Sequence, residues 1–259
     1  MVVIEANGLK FNYGKNIILD GINFSIEKGK LISIIGPNGS GKTTLLRNIS
    51  GALKPSAGRI KLWDKDITCY KKRELAKHIA YVPQSTMVDF GFTVMDIVLM
   101  GRSPYIGRFG SETHRDMEVA KDAMEMLGVL KLKDKKITQI SGGERQRVAI
   151  ACALAQTPEV IMLDEPVSNL DIQYQVQVLS LLKSLCSEKG MTVLVVLHDL
   201  NLASEYSDTV ILLNSGRIEH MGSPYDVMTV PVIEKAYNTK IYMMENPISG
   251  KPYLMPVRI

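Results

Sequence analysis

Cysteine is scarce in this chain of 259 residues, where Cys69, Cys152 and Cys186 are odd in number, far apart and without C-x-x-C spacing. That argues against a disulfide framework and a zinc site, and reduced thiols are expected. An excess of one charge is also lacking. Thirty-one Lys and Arg against 27 Asp and Glu leave +4, too little to make nucleic acid or anionic lipid a principal partner. No apolar run approaches the ~18 residues of a spanning helix. No apolar leader opens the chain, which carries Glu5 almost at its start. The expectation is a soluble, intracellular chain that reaches a membrane only through something else. Repeats and low-complexity tracts are missing too. What remains is ordinary globular material, 46% hydrophobic and 22% charged with 20 Gly and 11 Pro, enough to bury a core.

Short runs rich in β-branched residues, Leu31–Ile35, Val160–Leu163, Val193–Leu197 and Val210–Leu213, read as strands. They do not alternate with polar residues, which fits a parallel sheet covered on both faces. Helical order follows the first run over Thr43–Ile49. It follows the second through Ile172, Val176, Leu179, Leu182 and Leu185. Strand, loop and helix in succession predict an α/β fold. Val2–Phe11 and Ile17–Ile26 read instead as a hairpin joined through Asn12–Gly14, so an antiparallel β subdomain precedes the parallel sheet. From about Gln84 to Pro158 helical stripes dominate, as in Met117, Ala120, Met124 and Leu127. The division expected is an α/β core over 1–83 and 159–223, an inserted helical subdomain over 84–158 and a tail over 224–259. The methionines of the insertion read as core, not as metal ligands.

Gly36-Pro37-Asn38-Gly39-Ser40-Gly41-Lys42-Thr43, followed by Thr44, fits GxxxxGK[ST] between a strand and a helix. Glycines let the chain curl so that backbone N–H groups converge. The helix adds its positive end, and Lys42 neutralises phosphate charge. Thr43 can offer its hydroxyl to Mg²⁺. A nucleoside triphosphate site is expected. Val160-Ile-Met-Leu-Asp164-Glu165 reads as a buried strand that brings two carboxylates to its C-terminal edge, where ligands bind in open α/β sheets. Adjacent residues on a strand face opposite ways. Asp164 is therefore assigned to the metal and Glu165 to activation of water.

Ser141-Gly142-Gly143-Glu144 reads as a capping box, yet two glycines weaken a first helical turn by up to about 1 kcal/mol each relative to Ala. Bare backbone at that position suits the close approach of an anion. One chain then owns two phosphate-binding surfaces and one phosphate loop. A two-fold dimer resolves this, each nucleotide lying between the loop of one copy and the Ser141–Gly143 turn of the other.

Over nearly its whole length the chain resembles the ATP-binding subunits of ABC transporters, here the P-loop NTPase core with an N-terminal antiparallel β subdomain and an inserted helical subdomain. Ser141–Glu144 resembles the family's signature sequence, with Ile140 for the usual Leu and Glu144 for the usual Gln. The resemblance implies that Gln84 contacts metal and water, that Asp171 in Ser168-Asn-Leu-Asp171 crosses the dimer interface, and that His198 meets the γ-phosphate. It also implies that Tyr13 stacks on adenine. Val167 stands where Thr is common, and no contact is carried over to it.

The segment Thr93–Tyr105, with Gly101-Arg102-Ser-Pro, resembles importers of ferric siderophores, haem and cobalamin. Read bottom-up, Arg102–Gly110 is a surface loop containing Gly and Pro. The resemblance thus implies an ATPase that powers import of such compounds, working with ATP and Mg²⁺. Its partners would be a second copy of itself, separate permease subunits at the cytoplasmic face of the membrane and an external binding protein, with no nucleic acid. Importers of another metal or of an oxyanion stay open as readings, and so does a soluble ABC ATPase not coupled to transport. The soluble enzymes usually carry paired cassettes or a long coiled-coil insertion, and this sequence has neither. An unrelated P-loop kinase does not account for Ser141–Arg147.

Overall fold

The computed structural model describes residues 1–84, 91–107 and 110–258. The parts of the 84–158 insertion and of its 102–110 loop that fall at 85–90 and 108–109 lie outside them, as does residue 259 of the tail. In chain order the elements begin with β1 (Val2–Tyr13), β2 (Asn16–Glu27), β3 (Leu31–Ile35), α1 (Lys42–Ile49), β4 (Ala57–Leu62), β5 (Lys65–Asp66), α2 (Lys72–His78) and β6 (Ile79–Val82). The insertion holds α3 (Val94–Leu99), α4 (His114–Met126) and α5 (Gly142–Ala155). Then follow β7 (Val160–Asp164), α6 (Ile172–Lys189), β8 (Thr192–Val196), α7 (Leu200–Tyr206), β9 (Thr209–Asn214) and β10 (Arg217–Gly222). Two helices, α8 (Pro224–Val227) and α9 (Val230–Tyr237), and a hairpin of β11 (Ile241–Glu245) and β12 (Pro252–Pro256) close the chain.

The main sheet has the order β10-β9-β3-β8-β7-β6. Its inner strands are parallel, and β10 pairs antiparallel with β9 at one edge. Every residue of β3, β7 and β8 is buried, because helices cover one face and a second sheet the other. That second sheet, β2-β1-β4-β5, is antiparallel, as the opening hairpin predicts. Side chains alternate between two apolar masses. Ile32, Ile34, Met162 and Leu194 face the antiparallel sheet and α1. Leu31, Ile35, Ile161 and Val193 face the helices. Each fully buried Leu, Ile or Val contributes about 1.5–3 kcal/mol.

The inserted helices have no apolar core of their own. Val98, Met124, Val148 and Leu154 belong to the same buried cluster as Ile161, Leu182 and Val195. A buried ion pair braces this layer from within, the Arg102 Nε donating to Asp116 Oδ1 at 2.8 Å while its Nη1 reaches the Ala155 carbonyl at 2.8 Å. Close approach here requires glycine, since a Cβ on Gly101 would lie 2.1 Å from the Cys152 carbonyl oxygen. Among the described residues no helix is long and apolar enough to cross a membrane.

Candidate nucleotide site

The phosphate loop joins β3 to α1 and turns on three glycines with positive φ, Gly36 at 147°, Gly39 at 77° and Gly41 at 103°. At Gly36 nothing larger fits, because a Cβ would sit 1.9 Å from the Leu213 carbonyl oxygen. Gly41 caps α1 without a side-chain bond, so the first amides of that helix are bare, the arrangement that accepts an anion. Ser40 adds a buried hydroxyl with no hydrogen-bond partner. The Lys42 ammonium is folded into the loop, donating to the carbonyls of Gly36 at 2.8 Å and Pro37 at 2.9 Å. Burial pushes it below the usual lysine range, against the pull of Glu165 and Asp164. An amine so placed gains by meeting a phosphate. Thr44, also buried, faces inward from the first turn of α1, and its carbonyl accepts from Asn48 at 2.8 Å.

Asp164, at the end of β7, is fully buried. Its Oδ1 accepts from the Thr43 hydroxyl at 3.1 Å and its Oδ2 from the Tyr81 hydroxyl at 3.3 Å. Burial pushes this carboxyl up, and the two hydroxyls act in the opposite direction. Thr43 and Asp164 are hard oxygen donors in contact. No group of three or more His, Cys, Asp or Glu that could cage a metal occurs among the described residues. Such a pair fits Mg²⁺, which takes one or two protein oxygens and completes its shell with phosphate and water.

Glu165 follows with φ +53°, an uncommon backbone conformation for a side chain of this kind and one met where function demands it. The turn aims its carboxylate between two partners. His198, just beyond the end of β8, brings Nε2 to 2.6 Å from Oε1. The Gln84 side-chain amide donates to Oε2 at 2.6 Å. Phosphate loop, paired acids, Gln84 and His198 thus converge at the C-terminal ends of β3, β6, β7 and β8.

Ser141, Gly142, Gly143, Glu144 and Asp171 do not join this cluster. No hydrogen bond or ion pair links them to Lys42, Asp164, Glu165 or His198 among the described residues. Ser141 caps α5, its hydroxyl accepting from the Glu144 N–H at 3.3 Å and donating to the Glu144 carboxylate at 2.9 Å. The Ser141 backbone also donates to that carboxylate at 2.9 Å, and these bonds hold it below the usual range. Ser141 and Gly142 are exposed, and a Cβ on Gly142 would meet nothing within 4 Å. Asp171 opens α6 with its side chain free of the cap. Ser141, Gly142 and Asp171 face solvent, open to another surface, while Gly143 and Glu144 are half-buried. Tyr13, at the end of β1, is also exposed, its ring edge-on to Phe11 with centroids 4.9 Å apart.

Two residues escaped the sequence reading. Tyr81 holds the second oxygen of Asp164, and Arg47 of α1 stands beside the hydroxyls of Tyr81 and Tyr13, which push its guanidinium above the usual arginine range. A tyrosine inside the aliphatic strand β6, three residues before Gln84, was the available signal.

The sequence matches the family profile described as ABC transporter over residues 19–168, more than half of the chain. It is 36% identical to the cobalamin import ATP-binding protein BtuD of Halobacterium salinarum over 99% of its own length, and it spans 64% of that longer relative. It is 36% identical to the ferric enterobactin transport ATP-binding protein FepC of Escherichia coli, covering 98% of this chain and 94% of FepC. Among solved structures, an inward-facing ABC transporter assigned to the metal-chelate type superposes with a TM-score of 0.86 at 30% identity, over 99% of this chain and 98% of the other. The dimeric ABC transporter cassette MJ0796 superposes with a TM-score of 0.76 at 31% identity, over 85% and 98%. With the fold, the phosphate loop and the signature turn in one sequence, the chain belongs to the ABC transporter family, on the side of its ATP-binding proteins.

Proposed function

We propose that this chain hydrolyses ATP to power a membrane importer, with iron chelates or cobalamin as the cargo class. The carrying observation is the Glu165 carboxylate, held at 2.6 Å from both His198 and Gln84 beside the phosphate loop. A carboxylate with both oxygens in fixed hydrogen bonds is oriented to take a proton from a water attacking in line. Lys42 and the bare amides of the loop hold the phosphates, and His198 stands where negative charge grows on the γ-phosphate. Thr43 and Asp164 would hold Mg²⁺, which would supply neutralisation of phosphate charge. Positioning and charge stabilisation supply most of what phosphoryl transfer needs.

Two copies would enclose two nucleotides, the exposed Ser141–Gly143 turn and Asp171 of each completing the pocket of the other. The MJ0796 cassette, a dimer of the same fold, supports that arrangement. Cargo would never touch this chain. An apolar groove of about 210 Å³ lined by Pro83, Ile97, Met100 and Ala149 lies immediately before Gln84, the place for a cytoplasmic helix of a permease to seat and move it. An external binding protein would deliver cargo to that permease, leaving the chain peripheral at the cytoplasmic face. The cargo class rests on the relatives named for enterobactin and cobalamin.

Glu165→Gln tests the core of this reading. It should trap an ATP-bound dimer, visible by size-exclusion chromatography, with hydrolysis lowered by about 10²–10⁴-fold. Hydrolysis at the wild-type rate removes Glu165 from the water-activating role.

A further inference from the structure

The segment after β10 contributes no group to the chemistry above, yet it grips the chain beside it. The grip is on α7, which starts two residues after His198. Asn201 pairs its carboxamide with one tail residue in both directions. Its Nδ2 donates to the Leu254 carbonyl at 3.1 Å, and the Leu254 N–H donates to Oδ1 at 2.8 Å. One turn on, the buried Ser204 hydroxyl donates to the Pro252 carbonyl at 2.7 Å. The Glu205 carboxylate accepts from the Ser249 hydroxyl at 2.7 Å and from Asn246 at 3.3 Å, while Lys251 donates to the Glu205 carbonyl. A helix of seven residues has little stability of its own. Besides the Asp199 cap, a Tyr206–Ser180 hydroxyl contact at 3.4 Å and its apolar face, the tail hairpin fixes where α7 lies.

Ile233, Ala236, Ile241 and Leu254 anchor the tail in the main core. Strand β8, which leads into His198, is the neighbour of β3, which leads into the phosphate loop, so a shift of the His198 turn is a shift relative to that loop.

We infer that the hairpin Ile241–Pro256 is a strap that fixes where the His198 turn lies, with Asn201 as a positioning residue for ATP hydrolysis. The inference rests on the hydrolytic reading above. Its physical basis is that an attacking water and a phosphate must be aligned to a fraction of an ångström for positioning to lower the barrier. The hold on α7 supplies that alignment at His198 without reaching the substrate.

The test uses the full-length chain carrying Asn201→Leu, with Glu165→Gln in parallel. Steady-state ATPase rates, titration with a fluorescent ATP analogue and amide hydrogen exchange are read for each. Asn201→Leu should lower kcat by about five- to tenfold, the scale of one or two lost hydrogen bonds, with KM for ATP within about twofold. Exchange should quicken in 198–206 and stay unchanged in 142–155. Unchanged kcat overturns the inference. So does a rate loss matched by an equal loss of nucleotide-binding sites, for the tail would then only hold the fold together. Wild-type hydrolysis by Glu165→Gln would instead remove the underlying reading of the site, whatever the strap variant shows.

Discussion

Glu165 and His198 meet through a 2.6 Å bond between Oε1 and Nε2, joining the ends of the adjacent strands β7 and β8. Glu165 stands on strained backbone at φ +53°, and the histidine together with Gln84 fixes where its carboxylate points. His198→Ala should therefore lower kcat by about 10²-fold or more while KM for ATP stays within about twofold, since binding belongs to the loop. His198→Gln, whose amide can still donate to the carboxylate, should recover part of the loss. Steady-state kinetics on the three proteins decide it.

Gly142 separates fold from assembly. A side chain there meets nothing within 4 Å in the single chain, and an acid in the first turn of a helix is mildly favourable. Gly142→Asp should leave the melting temperature within about 2 °C and lower ATPase activity by at least about tenfold by placing a carboxylate against the partner's nucleotide. Mixing it with chains carrying Lys42→Ala should produce hybrid dimers with one intact pocket and partial activity.

The buried Asp164 carboxylate sets function against stability. Burial raises its pKa above the ordinary 3.8, so above pH 3.8 the folded chain binds more protons than the unfolded one. Stability from this group is present in acid and lost as pH rises through the raised value. Asp164→Asn, with no metal present, should then melt higher at pH 7, by about 2–4 °C for each kcal/mol recovered in a chain of this size. The same variant should lose metal-dependent hydrolysis. Scanning calorimetry and an ATPase assay on one preparation test both halves.

Asp116 works the other way. Hydrogen bonds from Thr113 first, and then from Arg102, hold its carboxyl down at about 2. Between that value and the ordinary 3.8 the unfolded chain binds more protons, so this contribution is complete above pH 3.8 and disappears as pH falls toward 2. Asp116→Asn should flatten acid unfolding in that window. At pH 7 it should cost about 3 kcal/mol or more, because Arg102 is left buried without its partner. Urea melts at several pH values measure both effects.

Much of the site lies in short local strings whose geometry the backbone itself dictates. Gly36–Thr43, Asp164–Glu165 and the capping box at Ser141 are of this kind, and the strands around them are continuous apolar runs. Other elements depend on tertiary context. Strand β6 has only four residues, Ile79–Val82, too few for a periodic signal, and it exists because β7 pairs along it. The roles of Tyr81 and Arg47 arise between segments distant in sequence. So does the Arg102–Asp116 pair, since a charged residue in a Gly-Arg-Ser-Pro string reads as surface until Asp116 and the Ala155 carbonyl enclose it. The hairpin Ile241–Pro256 mixes exposed Tyr and Met with few buried positions, and its lasting partner is a helix some forty residues earlier.

Were the chain to drive a permease as proposed, the apolar mass shared by the inserted helices and the main sheet would set how. With Leu154 and Val148 embedded beside Ile161 and Val195, the two layers cannot swing apart without wetting hydrocarbon. Any rotation between them must proceed as a short slide along a greased seam. A push at the inserted helices would then carry over to the phosphate-loop side with little slack.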